Sequence, residues 1–223
     1  MNTRKTQLTN DQHYHIFNRS IAKFVIFNND DDYLRMKEML NLYRFADFNY
    51  KYSKFIILDA NHQSAIIHDI TKKNDLLVEI VAYSLMPTHI HLVLKQVADG
   101  GITKFMGKIS NSYTRYFNIK HHRKGPLWED HFRNVLVSRD EQMLHLTRYI
   151  HLNASSAGLV ENPSDWPYSS LKEYTDQDDY GFCDFKDVID IVPAKYKKFV
   201  LDYKDYQRQI SLIKTILIDD YSG

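Results

Sequence analysis

His89 and His91 lie one residue apart in Pro87-Thr88-His89-Ile90-His91-Leu92-Val93-Leu94. On an extended strand, residues i and i+2 point to the same face, so the two imidazoles stand side by side. Two neutral imidazoles on one face can ligate a divalent metal. They can equally be structural histidines of a half-buried sheet. A second pair with the same spacing, His13-Tyr14-His15, sits on another strand-like segment. Spacing alone does not choose between the pairs. The other constellation is Arg148-Tyr149-Ile150-His151-Leu152-Asn153. In a helix, residues four apart share a face, so Tyr149 and Asn153 project together, with His145 one turn earlier on that side. A phenol one turn from a carboxamide can set a nucleophile beside a metal ligand. The same spacing describes a tyrosine packed on a sheet and an asparagine near a helix end.

These groups need elements to hold them. Asp11 to Arg19 alternates Tyr14, Ile16 and Asn18 against His13, His15 and Phe17, the period of a strand. Asn29-Asp30-Asp31-Asp32 is a helix start, with acids at the positive end of the dipole, and the helix should run to about Phe45. Residues 47–75, with the short apolar run Phe55-Ile56-Ile57-Leu58, are expected to form a strand or an irregular excursion. Leu76–Leu85 and His89–Gln96 read as strands of a hairpin turning at Met86-Pro87-Thr88. Ile102–Lys120 fits a helix, ended by Lys124-Gly125-Pro126, and Phe132–Val137 a short strand. Ser138 then gives an N-cap signal for a helix carrying Met143, Leu146 and Ile150 and stopping near Ala157-Gly158. The first six elements follow the split-βαβ, ferredoxin-like order. The expected class is therefore α+β, a ferredoxin-like sandwich with an antiparallel central sheet. The tail from about Trp166 contains a further apolar stretch, Ile210 to Ile218, of no clear type.

Composition narrows the function classes. In 223 residues, 43% are hydrophobic and 26% charged, ordinary for a globular protein and excluding a wholly disordered or collagen-like chain. No apolar run reaches the roughly 18 residues of a membrane span. Residues 1–7 have no apolar core behind their charges, so no signal peptide is expected. The lone cysteine, Cys183, excludes an internal disulfide framework and a Cys-rich zinc site, and a reducing cytoplasm is the expected compartment. The formal net charge of +1 is uninformative, but its distribution is polarised. Residues 101–128 hold Lys104, Lys108, Arg115, Lys120, Arg123 and Lys124 without an acid, whereas residues 173–190 are mostly acidic. Such polarity can focus a polyanion on one face, although a solvated helix face would look the same.

Taken in order, several pieces resemble one family: Tyr14-His15-Ile16-Phe17-Asn18-Arg19, Met86 to Leu94, Tyr113-Thr114-Arg115-Tyr116-Phe117-Asn118, Gly125-Pro126-Leu127-Trp128, Arg148 to Val160, and Asp165-Trp166-Pro167-Tyr168-Ser169-Ser170. The set is similar to the single-tyrosine HUH transposases, in particular the REP-associated tyrosine transposases, over about residues 13–171. The resemblance implies an HUH-type nuclease domain over residues 8–171 and a C-terminal extension over 172–223. It implies His89 and His91 as metal ligands, Asn153 in the third ligand position, Tyr149 as nucleophile, and Mg²⁺ or Mn²⁺ as the metal. It also sets His13 and His15 on the opening strand, away from the metal. There are departures. Ala154 stands where relatives have proline, with the backbone still expected to leave the helix there. The segment 47–75 is longer than usual. Glu129-Asp130-His131-Phe132-Arg133 is more acidic than is typical, against DNA contact at that point.

The implied reaction is transesterification on single-stranded DNA at hairpin-associated sites. The Tyr149 oxygen would attack a backbone phosphorus and displace a 3′-hydroxyl, leaving a 5′-phosphotyrosine. A phenol, with a pKa near ~10, leaves more readily than a sugar alcohol, so a later 3′-hydroxyl can reverse the step without ATP. Lys104, Lys108, Arg115, Lys120, Arg123 and Lys124 would neutralise phosphates, and Tyr113 or Tyr116 would stack on bases or pack in the core. The alternative is a domesticated hairpin-binding protein that does not cut. The resemblance leaves open a monomer or a homodimer, since some relatives swap the tyrosine helix between subunits.

Overall fold

Period-two alternation produces four strands in the computed structural model, which describes residues 7–175 and 181–203. They are β1 (His13–Arg19), β2 (Val78–Met86), β3 (His89–Gln96) and β4 (Arg133–Val137). The sheet order is β2-β3-β1-β4 with every pairing antiparallel, the arrangement the split-βαβ element order demands. Pro87-Thr88 closes the β2–β3 hairpin between the paired Met86 and His89. β3 and β1 are therefore interior strands. In their register Phe17 faces His91, Arg19 faces His89 and His15 faces Val93. Tyr14, Ile16, Ile90, Leu92 and Leu94 point to one side of the sheet, and the histidines to the other.

The first side is covered by α1 (Asp30–Tyr43) and α4 (Gly101–Lys120). The Asn29 side chain caps α1 by accepting from the Asp32 N–H at 3.1 Å. Met36, Met39, Leu40, Phe105, Ile109 and Tyr113 meet the sheet in one apolar cluster. Helix α4 starts so close to the chain before β2 that a Cβ on Gly101 would lie 2.0 Å from the Leu77 carbonyl oxygen. The second side is covered by α5 (Asp140–Ser156).

Residues 47–75 correct the expectation of a strand or irregular excursion. They form α2 (Tyr52–Phe55) and α3 (Ala60–Lys73). The apolar run reads as strand-like, but only Phe55 is buried in the core, while Ile57 is 70% exposed. Asp59 then caps α3, accepting from the N–H groups of Asn61 and His62, and Asn74 ends it in the left-handed region. One detail of α5 also differs from expectation. Arg139, not Ser138, holds the cap position, and the Ser138 N–H bonds the Gln142 side chain. Ala154 keeps its N–H and fits a buried helical position, so the helix runs on to Ser156 as the expected stop near Ala157-Gly158 requires. The stop expected near Gly158 is present, with φ at +72° and the Gly158 N–H bonded to the Ser155 carbonyl.

Two further helices, α6 (Leu171–Thr175) and α7 (Pro193–Leu201), pack beside α5, with the Tyr174 hydroxyl donating to the Val81 carbonyl of β2 at 2.6 Å. Leu171, Tyr174, Tyr196 and Val200 share an apolar cluster with Ile150 and Leu152 of α5 and Val81 and Val93 of the sheet. The Arg148 guanidinium stacks on Phe199 and Tyr203, 4.2 and 3.6 Å from the ring centres. His151 bonds the Tyr196 hydroxyl through Nδ1 and the Ser170 hydroxyl through Nε2, each at 2.8 Å. Ser170 is itself tied to the Tyr83 backbone of β2. The Ile210 to Ile218 stretch lies outside the described residues. Among the described residues no helix is long and apolar enough to cross a membrane.

Burial lowers the His151 pKa to about 3, so it stays neutral in the folded protein while the unfolded chain takes up its proton near 6.5. More protons on the unfolded state means that stability falls as pH drops from 6.5 towards 3. The expected contribution is a loss of about 1.4 kcal/mol per pH unit below 6.5. Urea unfolding of wild type and His151→Gln between pH 7 and 5 checks this: the wild-type slope should exceed that of the variant by this amount. Parallel slopes would show that His151 is not held neutral.

Candidate active site

The β1–β3 pairing and helix α5 bring four aromatic side chains together on the second face of the sheet. The His89 and His91 rings are 5.0 Å apart, nearly perpendicular. The Tyr149 ring stands edge-on to His91 at 5.9 Å and to His15 at 6.5 Å. Tyr149 and Asn153 are one turn apart on α5 and both are buried against the sheet. The packing explains the positions. Ile150 and Leu152 are fully buried in the α5 cluster, so the helix is set with Tyr149 towards the imidazoles.

Burial, with His89, His15 and Arg19 nearby, holds the His91 pKa well below its ordinary value. Its imidazole is therefore neutral at working pH, the state a metal ligand requires. Two polar atoms here are buried without a hydrogen-bonding partner: His91 Nε2 and the Asn153 side-chain nitrogen. Orphaned groups of this kind are uncommon in a folded core; of the two, the imidazole nitrogen can offer a lone pair, whereas the carboxamide would have to turn its oxygen inward to do so. His89 Nδ1 bonds the Thr88 hydroxyl at 2.9 Å, which orients its ring. Among the described residues no group of three or more His, Cys, Asp or Glu side chains is placed to hold a metal ion. A cation would therefore draw on two imidazoles and a carboxamide, a donor set that fits a weakly held divalent ion with open positions.

One residue was misplaced from the sequence. His15, expected away from the metal pair, sits against it, with Nε2 3.0 Å from His91 Nδ1 and the rings stacked at 5.2 Å. The signal was present: both His-x-His pairs read as strands, and the split-βαβ order makes those strands neighbours. His13 is the one that is set apart, opposite Lys95 at the end of β1. His145 is not with Tyr149. It is half exposed, bonded to Arg148 at 2.7 Å and beside Phe199 of α7. A small open cleft lies beside the site, lined by Phe17, Arg19, Arg133 and the acidic Glu129 and Asp130. Phe17 joins it to the site, stacked 6.2 Å from His91.

The basic residues of 101–128 lie elsewhere. Helix α4 covers the opposite face of the sheet, so they are not gathered around the imidazoles. Lys104, Arg115 and Lys124 are exposed. Lys120 pairs with the buried Asp32 at 2.6 Å, Lys108 donates to the Phe48 carbonyl, and Arg123 donates to Asn118 and to the Pro126 carbonyl. Tyr113 packs in the core, fully buried and bonded to the Ile26 carbonyl at 2.6 Å, which excludes base stacking by its ring. Tyr116 bonds Asp32 at 2.6 Å and carries the Arg35 guanidinium on its ring.

Residues 43–153 match the family model described as transposase, IS200 like. A putative REP-associated tyrosine transposase of Haemophilus influenzae is 28% identical over 103 residues, which cover 42% of this chain and 58% of that protein. A REP-associated tyrosine transposase of Escherichia coli is 29% identical over 106 residues, 47% of this chain and 61% of the relative. The match thus spans about six tenths of the length of these curated relatives. A solved REP-associated tyrosine transposase bound to a REP hairpin is similar in fold. Its TM-score is 0.56 at 16% identity, covering 86% of this chain and 95% of that one.

Proposed function

Since the chain belongs to the IS200-like transposase family, we propose that it nicks and joins single-stranded DNA at hairpin-associated sites through a tyrosine intermediate. The observation that carries this is the edge-on approach of the Tyr149 ring to His91 at 5.9 Å, with Asn153 one turn further along the same helix. In this reading Tyr149 Oη bonds the scissile phosphorus as the phosphorus–O3′ bond breaks. The phenol gives up its proton and the departing 3′-oxygen gains one. Because the phosphotyrosine keeps the energy of the cut bond, a 3′-hydroxyl can attack it and restore a phosphodiester.

His89, His91 and Asn153 would hold Mg²⁺ or Mn²⁺, imidazole suiting Mn²⁺ better. When bound, the ion supplies Lewis-acid polarisation of the phosphate. All three side chains are neutral, so they leave the positive charge available to the phosphate. Packing of Ile150 and Leu152 fixes the helix, so that the tyrosine is presented without a search over rotamers of the backbone. The related transposase bound to a REP hairpin supports a hairpin as the DNA partner. The exposed Lys104, Arg115 and Lys124 are the proposed phosphate contacts on the α4 face. Residues 8–171 would form the catalytic domain and residues 172–223 a C-terminal extension, of which α7 packs against α5.

Incubation with end-labelled hairpin DNA and Mn²⁺, followed by a denaturing gel, tests the chemistry. Wild type should carry label on the protein band, and Tyr149→Phe should lose it by at least 100-fold. Cleavage without an adduct in the variant would make water the nucleophile. Binding without cleavage across several metals would favour a hairpin-binding protein.

A salt titration tests the DNA face. Lys104→Glu with Lys124→Glu should reduce the slope of log affinity against log salt by about 2. Lys120→Glu, which breaks the pair with Asp32, should lower the unfolding midpoint and leave the slope nearly unchanged. An unchanged slope in the double variant would place the DNA elsewhere.

A further inference from the structure

Resting on the reading that His91 ligates the metal, we propose that His15 is a positioning residue for it. It accepts a hydrogen bond from His91 Nδ1–H and so leaves His91 Nε2 as the lone pair directed into the site. The geometry is specific. His15 Nε2 lies 3.0 Å from His91 Nδ1, both rings are almost fully buried, and their planes are 22° apart.

A neutral imidazole has one N–H and one acceptor nitrogen, so this contact has two arrangements. If His15 donates, His91 carries its proton on Nε2. That nitrogen is buried without a partner, so an N–H there would be an unsatisfied donor, and it could not bind a cation. If His91 donates, Nε2 is an acceptor, and a cation supplies the missing partner. Only the second arrangement satisfies both rings once a metal is present.

The fold holds His15 in place for this role. It is the diagonal neighbour of His91 in the β1–β3 register, a distance that ring side chains can bridge. Both strands are interior, and Tyr149 stands edge-on against both rings. Metal-bound histidines usually donate their second nitrogen to a carboxylate, a backbone carbonyl or water. An imidazole in that place is neutral and adds no negative charge to oppose the cation's pull on the phosphate.

Two readouts test the proposal without relying on catalysis. Nitrogen-15 NMR of histidine in the metal-free full chain should show His91 protonated on Nδ1. In His15→Phe that preference should be lost. Manganese titration followed by electron paramagnetic resonance should show Mn²⁺ binding weakened 10- to 100-fold in His15→Phe. His15→Gln, which offers an acceptor at similar reach, should recover it to within a few-fold. Unfolding midpoints of both variants separate loss of the contact from loss of the fold. A His91 proton on Nε2 in wild type would overturn the proposal. So would undiminished Mn²⁺ affinity in His15→Phe while His89→Ala abolishes it. If His89→Ala leaves Mn²⁺ binding intact, the metal assignment itself fails, and the role of His15 falls with it.

Discussion

With β1 hydrogen-bonded to β3 in a register that opposes Phe17 to His91 and Arg19 to His89, every odd-numbered residue of β1 faces the side that carries the imidazoles. A slip of one residue would turn His15 into the apolar core and Ile16 out of it. Burial of Tyr14, Ile16, Leu92 and Leu94 against α1 and α4 prevents that slip. The apolar half of the sheet therefore sets the polar half. It places two aromatic residues of β1 against His91 and leaves room for α5 to bring Tyr149 and Asn153 down onto them.

Much of this was legible in the residues. The alternation in β1, the bounds of β3 and the helical spacing of Tyr149 and Asn153 each follow a local rule, and local rules survive in the fold. The bond between His15 and His91 did not emerge, because strand order makes β1 and β3 neighbours without fixing the register that sets the two rings on a diagonal. Residues 47–75 misled for a different reason. Phe55-Ile56-Ile57-Leu58 has the composition of a strand, yet no sheet edge takes it up, and the caps at Asp59 and Asn74 favour helix. Likewise the basic residues 104–124 share a stretch of sequence but divide in space. Asp32 is fully buried and takes Lys120 for itself, an interaction that charge counting along the chain does not reveal.

The opposite surface of α5 has its own organisation. Arg148 and His151, which flank Tyr149 in sequence, point away from the imidazoles and into α6 and α7. The residues next to the proposed nucleophile thus serve the anchoring of its helix. Tyr196, Ser170 and the Tyr83 backbone link that anchor to β2, so both sides of α5 are tied to the same sheet.

That double attachment sets what an exchange of α5 between two copies of the chain would cost. Tyr149 meets the His91 of its own chain, and α5 is bound on its rear by helices of that chain as well. To lend α5 to a second copy, a chain would have to open both contacts, exposing His151 and the aromatic rings around it.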